Sequence, residues 1–179
     1  METMSRFMAK NGMEVTIRPA EAGDSCAIID TVRSNAMERS YVLMEHYGKD
    51  VEAEQEYIAG LDREKDLLVV ATTGGEVIGC LAALQADAGR RPETAHILHV
   101  GIHLREAFRG IGIGPHLLDY AIAWAGDKGF KKLEANIFTT NKRSLSMFKK
   151  AGFAEEGVRK NRVQVGREFI DEVLMGKLL

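Results

Sequence analysis

A glycine-rich turn is the part of this sequence best suited to binding a ligand. It spans residues 109–115, Arg-Gly-Ile-Gly-Ile-Gly-Pro, between a predicted strand at about 96–104 and a predicted helix at about 115–128. Such a turn gathers backbone N–H groups at a helix N-terminus, where the helix dipole presents its positive end. Because Gly112 and Gly114 have no Cβ, a ligand can approach the backbone closely. The pattern predicts an anion site, above all for the diphosphate of a cofactor.

Two common nucleotide-binding motifs do not fit this turn. A Rossmann turn reads Gly-x-Gly-x-x-Gly inside a parallel unit, whereas Gly110, Gly112 and Gly114 recur at every second position after a hairpin. Glu134 lies at about the distance of the Rossmann ribose-binding acid, but inside its strand rather than at the strand's end. A P-loop needs Gly-Lys-Ser/Thr after the turn, and the sequence has none.

Three histidines on the strand before the turn are candidates for a general base: His96, His99 and His103. Side chains alternate along a strand, so His99 and His103 should share one face and His96 the other. Histidine suits proton transfer near neutral pH, although a structural or surface role is the ordinary alternative for each. We expect no metal site, because one face offers only two of them. Glu134 is a further candidate base, with a solvated surface position as its alternative, and a water relay would need no dedicated residue.

The composition is that of an ordinary globular domain and excludes several classes of protein. The 179 residues are 45% hydrophobic and 28% charged, with a formal net charge of −2, which gives no global signal for nucleic acid or an anionic membrane. No apolar run reaches the roughly 20 residues of a membrane span, and the first residues lack the features of a secretory signal. Cys26 and Cys80 show neither metal-ligand spacing nor a disulfide framework. We expect a cytoplasmic protein.

The order of predicted elements indicates one α/β domain of the α+β type. Residues 14–179 form the domain, and residues 1–13 are expected to be an N-terminal extension, because their methionines share no clear period. Periodicity and turn residues predict a mixed, mostly antiparallel sheet of about seven strands flanked by about four helices. The strands are expected at about 14–18, 67–71, 77–84, 96–104, 131–138, 153–165 and 169–179, and the helices at about 25–37, 51–61, 115–128 and 142–150.

Several motifs occur in the order found in one enzyme family. Arg109-x-x-Gly112-x-Gly114 resembles the Gln/Arg-x-x-Gly-x-Gly/Ala signature of the GNAT superfamily of N-acetyltransferases, which bind acetyl-coenzyme A. Residues 141–153, beginning with Asn and ending with Gly-Phe, resemble the family's block on the last helix. Residues 17–19 with Asp24 resemble its opening, and residues 155–179 are similar to its closing hairpin. The resemblance implies a sheet splayed between the fourth and fifth predicted strands, with the cofactor between them.

The resemblance also implies which residues bind acetyl-coenzyme A, the acyl donor. The N–H groups from Arg109 to Gly114 would cradle the diphosphate, and the backbone of Ile102 and Leu104 would face the pantetheine arm. Asn141 would support the arm, act as a helix N-cap, or do both. Arg143, with its neighbour Lys142, could meet the 3′-phosphate, and a solvated helix face is the alternative for both. The complete cofactor set is Ile102, Leu104, Arg109, Gly110, Ile111, Gly112, Ile113, Gly114, Asn141, Arg143 and Phe148.

Two positions depart from the family pattern. Ile111 stands where many members have Lys or Arg between the motif glycines, so one cation near the phosphates is missing. Phe148 stands where members often have a Tyr proposed to protonate the departing thiolate, and Phe has no proton to donate. A thiolate is a good leaving group, with a conjugate-acid pKa of about 8.5, so Phe148 could simply pack against the cofactor.

The expected activity is acetyl transfer from acetyl-coenzyme A to a primary amine in a ternary complex. The acceptor could be a small amine, an amino acid or a protein N-terminus, and the resemblance is compatible with a homodimer. In this family the acceptor site is built from early helices and loops, here about residues 33–49, with Glu38, Tyr41, Glu45, His46 and Tyr47. The alternative, motivated by Phe148, is a coenzyme A-binding regulatory or interaction domain with weak or no catalysis.

Overall fold

The computed structural model describes residues 4–38 and 48–179, which form a single mixed sheet flanked by helices. The strands are β1 Ser5–Met8, β2 Glu14–Pro19, β3 Leu67–Thr73, β4 Glu76–Gln85, β5 Ile97–Leu104, β6 Lys132–Phe138, β7 Ala154–Val165 and β8 Glu168–Leu178. The helices are α1 Ser25–Met37, α2 Val51–Ala59, α3 Ile113–Asp127 and α4 Lys142–Lys150. No helix within the described residues combines the length and apolar character needed to span a membrane.

The sheet has the order β1-β2-β3-β4-β5-β6-β8-β7 and contains one parallel contact, between β5 and β6. These two strands pair only where Ile97–His99 lies beside Lys132–Glu134, and beyond that point they diverge. The predicted α+β class and the splayed sheet are therefore confirmed. The predicted count of about seven strands is one too low, because β1 adds an eighth.

The additional strand lies in the segment that the sequence analysis places outside the domain. Ser5–Met8 pairs antiparallel with β2, and the Phe7 ring stacks on His116 of α3 with 3.8 Å between ring centroids. Ala9 is 5% exposed and belongs to the main core. The alternation that forms this strand runs through Phe7 and Ala9 rather than through the methionines, which explains why the methionine pattern does not reveal it.

Helices on both faces bury the sheet. On one face, α3 packs its apolar stripe on the central strands, and α4 adds the 3% exposed Phe148 to the same core. On the other face, α1 and α2 cover a smaller cluster that includes Ile28, Val32, Ile58 and Cys80. The cleft between β5 and β6 therefore has α3 and α4 on one side and α1 on the other.

The start of α1 is held by an ion pair rather than by a side-chain cap. Asp24 precedes the helix, but its carboxylate makes no capping hydrogen bond. It instead accepts two hydrogen bonds from Arg18, at 2.7 and 2.8 Å, and one from the N–H of Glu21 at 2.8 Å. This ion pair ties the end of β2 to the helix that borders the cleft.

Candidate active site

The divergence of β5 and β6 opens a cleft with a volume of about 1120 Å³. Its walls are the second half of β5, the glycine turn, the facing half of β6 and the inner side of α4. Of the residues expected to bind the cofactor, the ones that line it are Ile102, Leu104, Arg109, Gly110, Gly112, Gly114, Asn141, Arg143 and Phe148. The fold thus brings together residues from distant parts of the sequence around one opening.

The glycine turn presents unused N–H groups to this cleft. Within the described residues, the N–H groups of Gly110, Ile111 and Gly112 donate to no protein acceptor. Those of Ile113 and Gly114 belong to the first turn of α3, where no preceding carbonyl of the helix is available. The Arg109 N–H is an exception to the expected cradle, because it donates to the Glu106 carbonyl at 3.2 Å.

The backbone conformation explains the glycines of the turn. Gly110 and Gly112 have φ angles of 81° and 99°, which side-chain-bearing residues rarely adopt. A Cβ on Gly114 would lie 2.9 Å from the sulfur of Met147, so this glycine lets α3 approach α4. The side chain of Ile113 is 1% exposed and that of Ile111 packs against the same core. Both isoleucines can therefore contribute only backbone groups to a ligand.

The Arg109 side chain points away from the phosphate cradle toward α1. Its guanidinium donates to both carboxylate oxygens of Glu38, at 2.7 and 2.6 Å, and also to the side-chain oxygen of Asn35. Its Nε donates to the Leu104 carbonyl at 3.0 Å. These hydrogen bonds lower the pKa of Glu38 below its usual value. The charge of Glu38 is thereby balanced inside the protein, which removes it as an obvious partner for a cationic acceptor.

The second half of β5 directs half of its backbone groups into the cleft. The His96 carbonyl accepts hydrogen bonds from Lys131 and Lys132 on the β6 side, whereas the Arg105 N–H donates to Ile78 of β4. Because strand residues alternate in direction, even-numbered residues of β5 point their N–H and C=O groups toward β6. Past the last pair with β6 these groups face the opening. The backbone of Ile102 and Leu104 therefore faces the opening, although the Leu104 carbonyl already accepts a hydrogen bond from Arg109.

The helix α4 carries the remaining expected cofactor residues. The Asn141 side chain accepts a hydrogen bond from the Ser144 N–H at 3.0 Å, so the N-cap role is realised while the residue also lines the cleft. The Arg143 guanidinium lies beside the turn, 3.6 Å from where a Cβ of Gly110 would be. Phe148 meets Phe153 edge to face, with 4.9 Å between ring centroids.

The candidate bases are divided between two places. His103 lines the main cleft, and its Nδ1 lies 3.5 Å from the Asn35 side-chain nitrogen. Burial, together with the charge of Arg109, lowers the pKa of His103 below its ordinary value. His96 lies before β5 and contributes its carbonyl to the sheet.

His99 and Glu134 lie outside the main cleft, at the closed end of the splay. They face each other across the last pair of β5 and β6, with 3.6 Å between Nε2 of His99 and the nearer carboxylate oxygen. Together with Asn136 and Arg159 they line a smaller cavity of about 100 Å³. Glu134 also pairs with Lys132 at 2.8 Å. The predicted bases are therefore not one cluster: His103 is at the cofactor side and the other two are at the vertex.

Comparison with known proteins identifies the family. The sequence pattern that defines the Acetyltransferase (GNAT) family matches residues 33–153. The chain belongs to the GNAT acetyltransferase family. The resemblance predicted from the glycine turn and its ordered neighbours is confirmed, and so is the expected enzyme class.

Individual relatives span nearly the whole GNAT domain. The candidate phosphinothricin acetyltransferase YwnH of Bacillus subtilis is 30% identical over 165 residues, covering 92% of this chain and 99% of its own. The L-amino acid N-acetyltransferase AaaT of Escherichia coli is 25% identical over 65% of this chain and 71% of its own. A GNAT phosphinothricin acetyltransferase from Sinorhizobium meliloti, solved in complex with acetyl-coenzyme A, superimposes with a TM-score of 0.84 at 22% identity, covering 97% of this chain and 89% of its own.

Some residues around the GNAT cleft are not found by reasoning from sequence. Asn35, Asn136 and Ser146 line it, as does Lys10 from the segment treated as an extension. Asn35 is 5% exposed on α1, and it follows the buried Ile28 and Val32 at helical spacing. A polar residue in line with apolar ones is the signal that could have indicated its role. For Lys10 the signal is the short alternation through Phe7 and Ala9.

The segment expected to form the acceptor site is only partly described. Glu38 closes α1 and binds Arg109, as above. Tyr41, Glu45, His46 and Tyr47 lie outside the described residues, so their expected contribution stays a prediction.

Proposed function

We propose that this GNAT protein transfers the acetyl group of acetyl-coenzyme A directly to the primary amine of a small amino acid-like acceptor. The observation that carries the proposal is the open cleft between β5 and β6, with free N–H groups of the glycine turn at its mouth. The donor supplies an activated acetyl group as a thioester. Residues of this chain bind and orient the donor and accept the proton of the amine.

The mouth of the cleft fits a diphosphate. The N–H groups of Gly110, Ile111 and Gly112 donate to no acceptor in the described part of the chain, and they lie at the positive end of the 15-residue helix α3. Gly110 and Gly112 adopt left-handed conformations and have no Cβ, which leaves room for a ligand at the backbone. Arg143 adds a cation beside Gly110. In this proposal the turn binds phosphate through backbone groups, and the Arg109 side chain fixes the turn by its hydrogen bonds to Glu38 at the end of α1.

The strand β5 orients the acyl end of the donor. From Leu104 to His99 the strand runs five residues, or about 17 Å at 3.3–3.4 Å per residue, from the turn to the vertex of the splay. Even-numbered residues offer N–H groups along this path. An arm that starts at the turn and follows β5 therefore brings the thioester to the closed end, where a strand N–H can stabilise the charge that develops on the carbonyl oxygen.

The proton acceptor in this proposal is His99, with Glu134 as its partner. An amine must lose a proton as it attacks a thioester, and a neutral imidazole can accept it near pH 7. His99 lies at the vertex, its side chain is 47% exposed and thus reachable by an acceptor, and Glu134 can stabilise the imidazolium from 3.6 Å. His103 is the rival base, because it lines the cleft and its lowered pKa keeps it neutral.

No residue of the cleft argues for an acetylated enzyme intermediate. Among the described residues that line the cleft there is no cysteine, and burial raises the pKa of Cys80 to about 12, which suppresses its thiolate. Phe148 offers no proton to the leaving thiolate, so departure rests on the acidity of the thiol itself and on water. These features support direct transfer.

The acceptor class rests on the relatives rather than on the site. One is named for phosphinothricin, an amino acid analogue, and another for L-amino acids. The small cavity at the vertex is lined by Glu134, Glu156 and Arg159, but these charges already pair with Lys132 and Glu172, so the cavity does not select an acceptor. Cytoplasmic location and dimerisation stay predictions.

Phe148 supports a second candidate, a coenzyme A-binding domain with weak or no catalysis. A thiol-release assay separates the two functions. Purified protein is incubated with acetyl-coenzyme A and a panel containing phosphinothricin, L-amino acids, simple amines and peptides with a free N-terminus. Amine-dependent release supports the acetyltransferase, and binding of the donor without release by any amine supports the second candidate.

The same assay tests the base. His99→Gln is expected to lower kcat/KM by about 10²–10⁴-fold, the usual contribution of a general base. His103→Gln is the matched control, with an expected change below about tenfold. The opposite ranking would assign the base to His103, and equal small effects would favour a water relay.

A further inference from the structure

We propose that Lys10 is a further binding residue for the donor, with its ammonium group pairing with the diphosphate at the glycine turn. This inference rests on the proposed function, since it needs acetyl-coenzyme A in the cleft. It assigns a binding role to the segment before β2, which lies outside the predicted domain of residues 14–179 and outside the family match at residues 33–153.

The segment after β1 is fixed directly on the turn. The Lys10 N–H donates to the Ile111 carbonyl at 2.9 Å, which is the middle of the glycine motif. A tight turn returns the chain to β2, with the Ala9 N–H donating to Met13 and the Gly12 N–H donating to Ala9, at 2.8 and 2.9 Å. The ring stack of Phe7 on His116 secures the strand to α3. The position of Lys10 is therefore defined by backbone contacts and core packing.

The Lys10 side chain extends along the ligand side of the turn. Its Cγ and Cε lie 3.7 and 3.9 Å from where a Cβ of Gly112 would be, and the residue lines the cleft. The ammonium is bonded to Cε, so it is carried on this side of the turn. Gly112 leaves room for this side chain as well as for a ligand.

Two cations of the described chain lie beside the turn, and they come from different parts of the sequence. Ile111 supplies no cation within the motif, and Arg109 is bound to Glu38 and Asn35. Arg143 approaches Gly110 from α4, whereas Lys10 approaches Gly112 from the opposite end of the chain. Two cations then flank a diphosphate that carries two negative charges. A partly exposed pair of this kind contributes modestly and is weakened by salt.

The test is calorimetric titration of wild type, Lys10→Gln, Lys10→Arg and Arg6→Gln with acetyl-coenzyme A and with its 3′-dephospho form. Arg6 is the matched control, because it is an exposed cation on β1, the strand that precedes Lys10. Lys10→Gln is expected to raise Kd about three- to tenfold for both donors, with a smaller difference at high salt. Lys10→Arg should retain most of the affinity, and Arg6→Gln should match wild type.

Three results would overturn the inference. In the first, Lys10→Gln binds both donors as tightly as wild type. In the second, it loses affinity only for the donor with the 3′-phosphate, which would show that Lys10 contacts that phosphate rather than the diphosphate. In the third, Lys10→Arg loses as much affinity as Lys10→Gln and the loss does not depend on salt, which would indicate that Lys10 acts through packing rather than charge. If wild type binds neither donor, the proposed function fails first, which is a distinguishable outcome.

Discussion

Arg109 of the glycine turn and Glu38 at the end of α1 form a bidentate ion pair, with 2.7 and 2.6 Å between guanidinium nitrogens and carboxylate oxygens. The two residues are 71 positions apart, and their side chains are only 18% and 28% exposed. A family motif arginine is thus used here to fix the cofactor turn to the helix that leads into the expected acceptor segment. The pair therefore joins the glycine turn to the C-terminal end of α1.

Removing the charge of Glu38 should destabilise the fold at neutral pH. Glu38→Gln removes the carboxylate that accepts two hydrogen bonds from the Arg109 guanidinium, and we expect a loss of about 1–3 kcal/mol in the free energy of unfolding, the range for hydrogen bonds to charged groups. Urea denaturation at pH 7 measures it. Glu64→Gln is the control, because Glu64 pairs with Lys128 at 2.7 Å but is 79% exposed.

The same pair should make stability depend on acid pH. The hydrogen bonds from Arg109 lower the folded-state pKa of Glu38 below 4.5, so the unfolded chain takes up the proton more readily as pH falls. Its contribution is complete above about pH 4.5 and is lost as pH falls through the folded-state pKa. The difference between wild type and Glu38→Gln should therefore shrink at acid pH, and a difference independent of pH would contradict this role.

His103 should titrate below the ordinary range of histidine. Burial disfavours its charged form and the nearby Arg109 adds repulsion, so its pKa lies below 6.5. An NMR titration of the histidine ring protons, with His103→Gln to assign the signal, measures this directly. Because the unfolded chain binds the proton more tightly, this histidine should favour folding fully above about pH 6.5 and progressively less as pH falls. A titration midpoint above 6.5 would contradict the buried environment.

Phe148 should matter for packing even though it cannot donate a proton. It is 3% exposed and meets Phe153 edge to face. Phe148→Ala is expected to lower the free energy of unfolding by about 3–5 kcal/mol, as large-to-small core substitutions do. Phe169→Ala, at a position 60% exposed, should change it by no more than about 0.5 kcal/mol. Chemical denaturation compares them, and equal losses would refute a core role for Phe148.

The sequence predicts well the features that depend on local pattern. Alternation defines β5, the Asn141 cap and Gly152 bracket α4, and the glycine spacing identifies the turn, since each depends on residues a few positions apart. The pairing of Arg109 with Glu38 could not be predicted, because nothing in the motif says which of many acids will be close in space. The role of Lys10 is hard to predict for a related reason: the alternation through Phe7 and Ala9 is too short to distinguish a four-residue strand from a loop without its pairing to β2. His103 lines the main cleft and His99 lines the smaller cavity, because β5 and β6 separate after His99. The sequence does not indicate at which residue these strands separate.

The central claim is that the glycine turn at the mouth of the β5–β6 cleft holds acetyl-coenzyme A. The most direct test is calorimetric titration of wild type, Gly112→Glu and Gly126→Glu with acetyl-coenzyme A, with circular dichroism confirming that each is folded. Gly126 is the matched control, because it lies on α3, is exposed, and a Cβ there would meet nothing within 4 Å. We expect wild type and Gly126→Glu to bind alike and folded Gly112→Glu to lose binding, since its carboxylate would repel the phosphates and occupy their approach. Unchanged affinity in folded Gly112→Glu would contradict the account.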